Sequence, residues 1–262
     1  MITAILLGII EGLTEFLPVS STGHLILFGS LLGFTGQRAN TFEVFIQLGA
    51  ILAVVVLYRQ RFAQLFSSRQ EGLSGISGLK LLALTTLPAV IAGFLLHGFI
   101  KERLFNPAVV AIGLLIGGIA LITMERFYKP TREVDIEHIT KQQALKIGLF
   151  QLLALSPGVS RAGATIVGGR LMGLSRQAAV EYSFLVAVPV MIAAVSYDLI
   201  KSSPTLSSND ITLFVVGFVT AFVSAMLAIK FFIRLVQRFT LEPFGWYRIG
   251  LSGVIFLWLL FL

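Results

Sequence analysis

The hydrophobic pattern along the chain is dominated by long apolar stretches that are nearly free of charge. Six of them approach or exceed the ~17–25 residues that a helix needs to cross the hydrocarbon of a bilayer. They cover residues 40–58, 79–100, 104–124, 178–200, 211–233 and 246–262. The last stretch is marginal in length, but Trp246, Tyr247 and Trp258 suit a membrane–water interface. The pattern predicts an all-α polytopic membrane protein with six transmembrane helices.

Two further apolar stretches, 2–34 and 144–174, are interrupted in the middle by Pro, Gly, Ser and charged residues. The interruptions cover residues 17–24 and 156–163. The fragments on either side have only about 10–15 residues each, which is short for a complete crossing. Irregular backbone at membrane depth persists only where protein or water surrounds it. Each stretch therefore predicts a re-entrant helical hairpin, in which two short helices meet at a polar turn.

The two interrupted stretches match each other at a spacing of 140 residues. The matched positions are Gly8 with Gly148, Glu11 with Gln151, Val19 with Val159, Ser20 with Ser160, and Gly23 with Gly163. Each half then holds one re-entrant hairpin followed by three spans, about 1–125 for repeat one and about 140–262 for repeat two. An odd number of spans turns the second half upside down, so the pattern predicts an inverted-topology repeat within a single membrane domain, 1–262.

Composition and charge narrow the protein class further. The chain is 56% hydrophobic and only 13% charged, which excludes a soluble enzyme and a nucleic-acid-binding domain. The net charge of +7 is explained by basic loops on the cytoplasmic side. If the segment after 40–58 is cytoplasmic, fifteen Lys and Arg residues, Arg248 among them, fall on that side and four on the other. Both termini then face outward.

The first interrupted stretch carries polar residues that are costly inside a membrane. Glu11 and Glu15 lie one helical turn apart on one face, and such carboxylates usually face a cavity or a partner. Two carboxylates can hold a hard divalent cation through oxygen ligands. Hydroxyls and free backbone N–H groups at a helix start suit a phosphate, and here they belong to Ser20, Ser21 and Thr22. His24 can serve as acid, base or nucleophile.

The second interrupted stretch contributes a cation. Arg161 offers a planar fork that matches phosphate oxygens, and Ser160, Gly163 and Thr165 accompany it as candidate substrate-binding residues. Gln47 is a further candidate, with a helix–helix hydrogen bond as the equal alternative. Together these residues predict an intramembrane site for an amphiphile with a phosphate head, and the set suits phosphoryl transfer.

Residues 11–24, EGLTEFLPVSSTGH, closely resemble the first motif of the bacterial undecaprenyl-diphosphate phosphatases of the bacitracin-resistance type. The second family motif, usually Pro-Gly-x-Ser-Arg-Ser-Gly, stands here as PGVSRAG at 157–163, with Ala162 in place of the usual Ser. The resemblance spans the whole chain. It implies a multi-pass enzyme of the bacterial plasma (inner) membrane that hydrolyses a C55 polyprenyl diphosphate to the monophosphate carrier and inorganic phosphate.

The resemblance also implies peptidoglycan precursor recycling, bacitracin resistance, a divalent cation such as Mg²⁺ or Ca²⁺, and an active site on the periplasmic side. Glu11 and Glu15 would bind the metal or act as base, and Ser21 would attack. His24 is a competing nucleophile or the acid/base, and the sequence does not separate it from Ser21. A flippase or transporter of a phosphorylated polyprenyl lipid is the alternative function, and a homo-oligomer stays open.

Overall fold

A computed structural model describes residues 1–68, 71–130, 133–202 and 211–260. These residues form α-helices and short 3-10 or π turns, with no β-strand among them. The α-helices are α1 (Ile2–Thr14), α2 (Ser21–Leu31), α3 (Gln37–Leu57), α4 (Arg59–Gln64), α5 (Gly75–Phe99), α6 (Pro107–Phe127), α7 (Lys141–Gln151), α8 (Arg161–Leu171), α9 (Arg176–Ser202), α10 (Ile211–Val236) and α11 (Glu242–Leu260). The predicted all-α class is confirmed.

Six helices in the described ranges are long and apolar enough to cross a membrane: α3, α5, α6, α9 over Arg176–Asp198, α10 and α11. They coincide with the six predicted spans, and their ends differ from the predicted ends by a few residues. The final two residues of the predicted span 246–262 lie outside the described residues. Local sequence explains several helix starts: Asn106 caps α6 ahead of Pro107, and Thr140 caps α7.

The two interrupted stretches each form two short helices, α1 with α2 and α7 with α8. Residues 15–20 separate the first pair and are called break one; residues 156–160 precede α8 and are called break two. Each break ends in a serine that caps the following helix: Ser20 accepts from the Gly23 N–H at 3.4 Å and Ser160 from the Gly163 N–H at 3.0 Å. The two serines have φ of 69° and 70°, and they are the only non-glycine residues with positive φ in the described ranges.

Small residues let the short helices approach the long ones closely. A Cβ at Gly12 of α1 would lie 2.4 Å from the carbonyl oxygen of Ala221 in α10. A Cβ at Gly148 of α7 would lie 2.7 Å from the carbonyl oxygen of Thr85 in α5. Backbone contact through small residues is the usual way that helices associate in membranes. This packing fixes α1 and α7, and therefore the break that follows each of them.

The structure corrects the charge count at one residue. The charge count places Arg248 on the basic cytoplasmic side, but the residue lies within α11 and its side chain is fully buried. Its guanidinium donates hydrogen bonds to the backbone carbonyl oxygens around it, so Arg248 does not belong with the basic residues of the loops. Two other counted residues, Arg69 and Arg132, lie outside the described residues, as do the side chains of Lys101 and Lys201.

Candidate active site

A polar cavity of about 220 Å³ lies between break one and break two. Break one, break two and the helices that follow them supply most of its wall, and the rest comes from α3, α9 and Ala154 of the 3-10 turn before break two. Seven of the predicted site residues line it: Glu15, Ser20, Ser21, Thr22, Gln47, Ser160 and Arg161. The two breaks, far apart in sequence, therefore build one site.

Glu15 connects the two halves of this cavity. One of its carboxylate oxygens accepts a hydrogen bond from Ser21 Oγ at 2.5 Å, and the other accepts from Arg161 Nη2 at 2.9 Å. Both side chains of the ion pair are largely buried, at 9% and 12% exposed. Bonds to charged groups in such surroundings are stronger than neutral ones. Glu15 therefore holds the serine hydroxyl and the arginine fork at the same point.

The guanidinium of Arg161 is fixed on its other sides as well. Nη1 donates to the carbonyl oxygen of Ser183 at 3.0 Å, and the Phe16 ring lies 5.6 Å from the guanidinium carbon. Ser183 is itself held by Thr165, whose hydroxyl donates to Ser183 Oγ at 2.7 Å. The guanidinium, which lines the polar cavity, is thus held in one orientation.

His24 lies beside break one but has different partners. Its Nδ1 is 2.8 Å from the carbonyl oxygen of Ser20, which can only accept, so Nδ1 carries the proton. Its Nε2 lies 2.6 Å from the hydroxyl of Tyr247, and the two rings are stacked at 5.6 Å. In the neutral ring Nε2 accepts from that hydroxyl. His24 is not among the described residues that line the polar cavity, and so the geometry separates it from Ser21.

Glu11 is fully buried, and neither carboxylate oxygen has a hydrogen-bond partner among the described residues. It interacts electrostatically with Glu15, Glu43 and Arg161. Three or more metal-binding side chains do not come together anywhere in the described ranges. Mg²⁺ is commonly held by one or two carboxylates, with waters and substrate phosphates completing its shell. Glu11 lines neither cavity in the described structure, and Glu15 is bonded to Ser21 and Arg161, so the oxygen donors available to such an ion are these two carboxylates, one helical turn apart.

Gly163 and Thr165 do not line the cavity in the described structure; they contact Ser160 and Arg161, which do, and the Thr165 hydroxyl lies 2.9 Å from the carbonyl oxygen of Arg161. The Gly163 N–H donates to Ser160, and Thr165 braces Ser183 as described above. The prediction that these two residues bind substrate directly stays untested, and their observed contacts are internal.

A second cavity of about 850 Å³ adjoins the first and is lined mainly by apolar residues. The two cavities share Thr22, Gln47, Ala154, Arg161 and Ala194. Residues of α2, α3, α5 and α9 form most of the larger wall. A ligand with a charged head and a long apolar tail matches this pair of cavities.

Sequence reasoning missed three residues that organise the site. Ser183 holds Arg161, Tyr247 holds His24, and Arg248 donates to carbonyl oxygens in both breaks. The sequence signal for Arg248 is an arginine within an otherwise apolar span. Because it lies near the start of 246–262, it is also consistent with a charge at the membrane interface. Ser183 and Tyr247 carry no signal in sequence beyond their hydroxyl groups.

The model of the family described as "Bacitracin resistance protein BacA" matches residues 4–254. The chain belongs to this family. A BacA relative from Desulfovibrio desulfuricans, named undecaprenyl-diphosphatase, is 53% identical over 258 residues, 98% of this chain and 97% of that protein. The undecaprenyl-diphosphatase of Nitratidesulfovibrio vulgaris strain Hildenborough is 52% identical over 257 residues, 98% and 97% of the two chains. Undecaprenyl-diphosphatase 1 of Bacillus thuringiensis is 49% identical over 257 residues, 96% of each.

Proposed function

We propose that the chain hydrolyses undecaprenyl diphosphate to undecaprenyl phosphate and inorganic phosphate in the polar cavity between the two breaks. The chain is a membrane phosphatase of the BacA family. It matches relatives that are named undecaprenyl-diphosphatase over nearly their whole length. Those names favour hydrolysis over the transport alternative. The single observation that carries the site is Glu15, which joins Ser21 of one break to Arg161 of the other.

Substrate binding follows from the two adjoining cavities. The diphosphate occupies the polar cavity, where Arg161 neutralises its charge and the starts of α2 and α8 present N–H groups. The isoprenoid tail extends into the larger apolar cavity, which the polar one meets at Thr22 and Gln47. Burial of the tail supplies affinity, and the polar cavity positions the terminal phosphorus.

Ser21 is the attacking group in this proposal, because its hydroxyl already donates to Glu15 inside the cavity. Ser21 Oγ forms a bond to the terminal phosphorus as Glu15 takes its proton. The bond from that phosphorus to the bridging oxygen breaks, and undecaprenyl phosphate leaves. Glu15 gives that proton to the departing undecaprenyl phosphate and is a carboxylate again. Water then attacks the phosphoserine as Glu15 takes a proton from it, the bond from phosphorus to Ser21 Oγ breaks, and Glu15 returns the proton to Oγ, so that inorganic phosphate and free Ser21 are released. Arg161 stabilises the charge that develops on the phosphoryl oxygens.

Glu11 and Glu15 would hold the divalent cation, Mg²⁺ or Ca²⁺. When bound, such an ion supplies further charge neutralisation at the phosphate. A bound ion would also offset the cost of burying the carboxylate of Glu11, which has no hydrogen-bond partner among the described residues. We expect that a chelator lowers the rate of phosphate release by wild-type protein and that added Mg²⁺ restores it.

The Ser21 assignment is tested by phosphate release from undecaprenyl diphosphate by purified Ser21→Ala and His24→Ala. Loss of a nucleophile costs at least about 1000-fold in kcat, whereas loss of a residue that only supports break one costs about 10-fold. Ser30→Ala, also on α2, is the matched control and should match wild type. An inactive His24→Ala beside an active Ser21→Ala would make His24 the attacking group.

The two halves of the chain, in this proposal, are re-entrant hairpins and spans related by an inverted-topology repeat. Support comes from the two serine caps with matching φ values, 140 residues apart in sequence. In each half the first short helix packs through a glycine on the second span of the other half, α1 on α10 and α7 on α5. Both termini face the periplasmic side of the inner membrane in this proposal, because basic residues concentrate in the loops of the opposite side. The active site is proposed for the periplasmic side because the family resemblance implies it.

A further inference from the structure

Arg248 is the largest fully buried side chain among the described residues, and its partners are backbone carbonyl oxygens. It donates to Pro18 of break one at 3.2 Å, and to Gly158 and Val159 of break two at 2.9 and 2.8 Å. It also donates to Gly113 and Leu114 of α6 at 3.0 and 3.3 Å. In the described ranges no carboxylate lies within ion-pair distance of it. The guanidinium thus joins three separate backbone segments.

We propose that Arg248 is a positioning residue that fixes break one relative to break two, a role that rests on the function proposed above. A guanidinium has five N–H donors in a rigid plane, which suits several carbonyl oxygens arranged around it. A single side chain therefore fixes the backbones of the two breaks relative to each other, beside the side-chain link that the Glu15–Arg161 pair makes. Arg248 does not line the polar cavity in the described structure, so it acts through the backbone.

The positioned segments lead directly into the reacting groups. Pro18 precedes Ser20 and Ser21 by two and three residues, and Val159 immediately precedes Ser160 and Arg161. Ser20 and Ser160 have φ near +70°, a conformation that is strained for residues with a side chain and persists only when its surroundings impose it. The bonds from Arg248 to the carbonyl oxygens before these serines supply that constraint. Without it, Ser21 and Arg161 lose their common geometry at Glu15.

Helix α6 leaves room for the guanidinium at Gly117. A Cβ at this position would lie 2.0 Å from Arg248 Nη2 and 2.6 Å from its guanidinium carbon. Gly117→Ala therefore displaces the guanidinium without altering Arg248 itself, although alanine is otherwise favoured in a helix. Gly253→Ala in α11 is the matched control, because a Cβ there meets nothing within 4 Å.

The first experiment measures kcat and KM for phosphate release by purified Arg248→Met, Arg248→Lys, Gly117→Ala and Gly253→Ala. A displacement of about 1 Å at a reacting centre costs about 100-fold in rate, which is the loss expected in kcat for Arg248→Met and Gly117→Ala. Their KM should change less than about threefold, because the tail cavity is untouched. Arg248→Lys keeps three N–H donors, so its kcat should be about 10-fold higher than that of Arg248→Met. Gly117→Ala that equals Gly253→Ala in kcat would overturn the proposal.

The second experiment reads the geometry directly and does not depend on turnover. The chain has no cysteine, so spin labels can be placed at Leu13→Cys and Leu153→Cys, exposed positions just before the two breaks. We expect a narrow distance distribution in the otherwise unchanged chain and in Gly253→Ala, and a broad or shifted one in Gly117→Ala and Arg248→Met. An unchanged distribution in both would contradict the role of Arg248. Glu15→Gln separates this proposal from the proposed function. If that variant keeps its turnover while the distance distribution broadens in Gly117→Ala and Arg248→Met, the proposed catalytic site fails and the positioning by Arg248 stands.

Discussion

At the residue scale, the site is organised around one buried carboxylate with two different partners. Glu15 accepts from a serine hydroxyl and from an arginine, and both contacts are short. Sequence alone could predict that Glu15, Ser21 and Arg161 belong to one site, because carboxylates and an arginine at breaks in apolar stretches are costly without a function. It could not predict that Ser21, rather than His24, bonds to Glu15. That distinction depends on Tyr247, which a distant helix brings to His24.

Arg161→Lys tests the fork geometry at this scale. A lysine ammonium cannot bond Glu15 and Ser183 while it also lies over the Phe16 ring. We expect kcat for phosphate release to fall at least about 100-fold although the charge is kept. The matched control is Arg176→Lys, whose arginine pairs with Glu125 away from the cavity. Equal turnover in the two variants would show that charge alone is sufficient.

At the scale of helices, small residues and caps place the breaks. The apolar lengths predicted the long helices well, because the requirement to cross hydrocarbon leaves little choice of structure. The short helices were also predictable from the Pro, Gly and Ser residues that interrupt them. The pairing of helices could not be predicted from the sequence. It depends on close backbone contacts such as the one between Gly49 of α3 and the backbone of α10. A glycine in an apolar stretch does not reveal its partner.

Gly49→Ala tests this close packing. A Cβ there would lie 2.3 Å from the carbonyl oxygen of Phe218, a backbone atom that cannot move without shifting α10. Overpacking of this kind costs about 1–3 kcal/mol, so the midpoint of thermal unfolding in detergent should fall by several degrees. Gly98→Ala in α5 is the control, because its Cβ meets nothing within 4 Å and the residue gains helix propensity. Identical midpoints would refute the packing argument.

At the scale of the whole molecule, two halves of the chain meet at one cavity. The spacing of 140 residues and the count of spans predicted that the two breaks come together, and the structure places both around the polar cavity. The sequence could not predict that an arginine from the last helix links them. The charge count treated Arg248 as a loop residue because composition records charge and not the carbonyl oxygens that surround it.

The orientation of the molecule is testable because the chain has no cysteine of its own. Glu102→Cys and Ser67→Cys replace exposed residues on opposite predicted sides of the membrane. In intact cells with a permeabilised outer membrane, we expect a membrane-impermeant maleimide to label Glu102→Cys and to leave Ser67→Cys unlabelled until the inner membrane is opened. The reverse pattern would place the termini and the active site on the cytoplasmic side.

The most direct test of the proposed active site is the rate of phosphate release from undecaprenyl diphosphate by purified Glu15→Gln. Glutamine keeps the shape of the side chain but cannot take the proton of Ser21 or pair its charge with Arg161. The matched control is Glu181→Gln, whose carboxylate accepts from Gln177 at a distance from both cavities. We predict a loss of at least about 1000-fold in kcat for Glu15→Gln and turnover within about twofold of wild type for Glu181→Gln. Near-wild-type turnover by Glu15→Gln would contradict the assignment of the active site to this cavity.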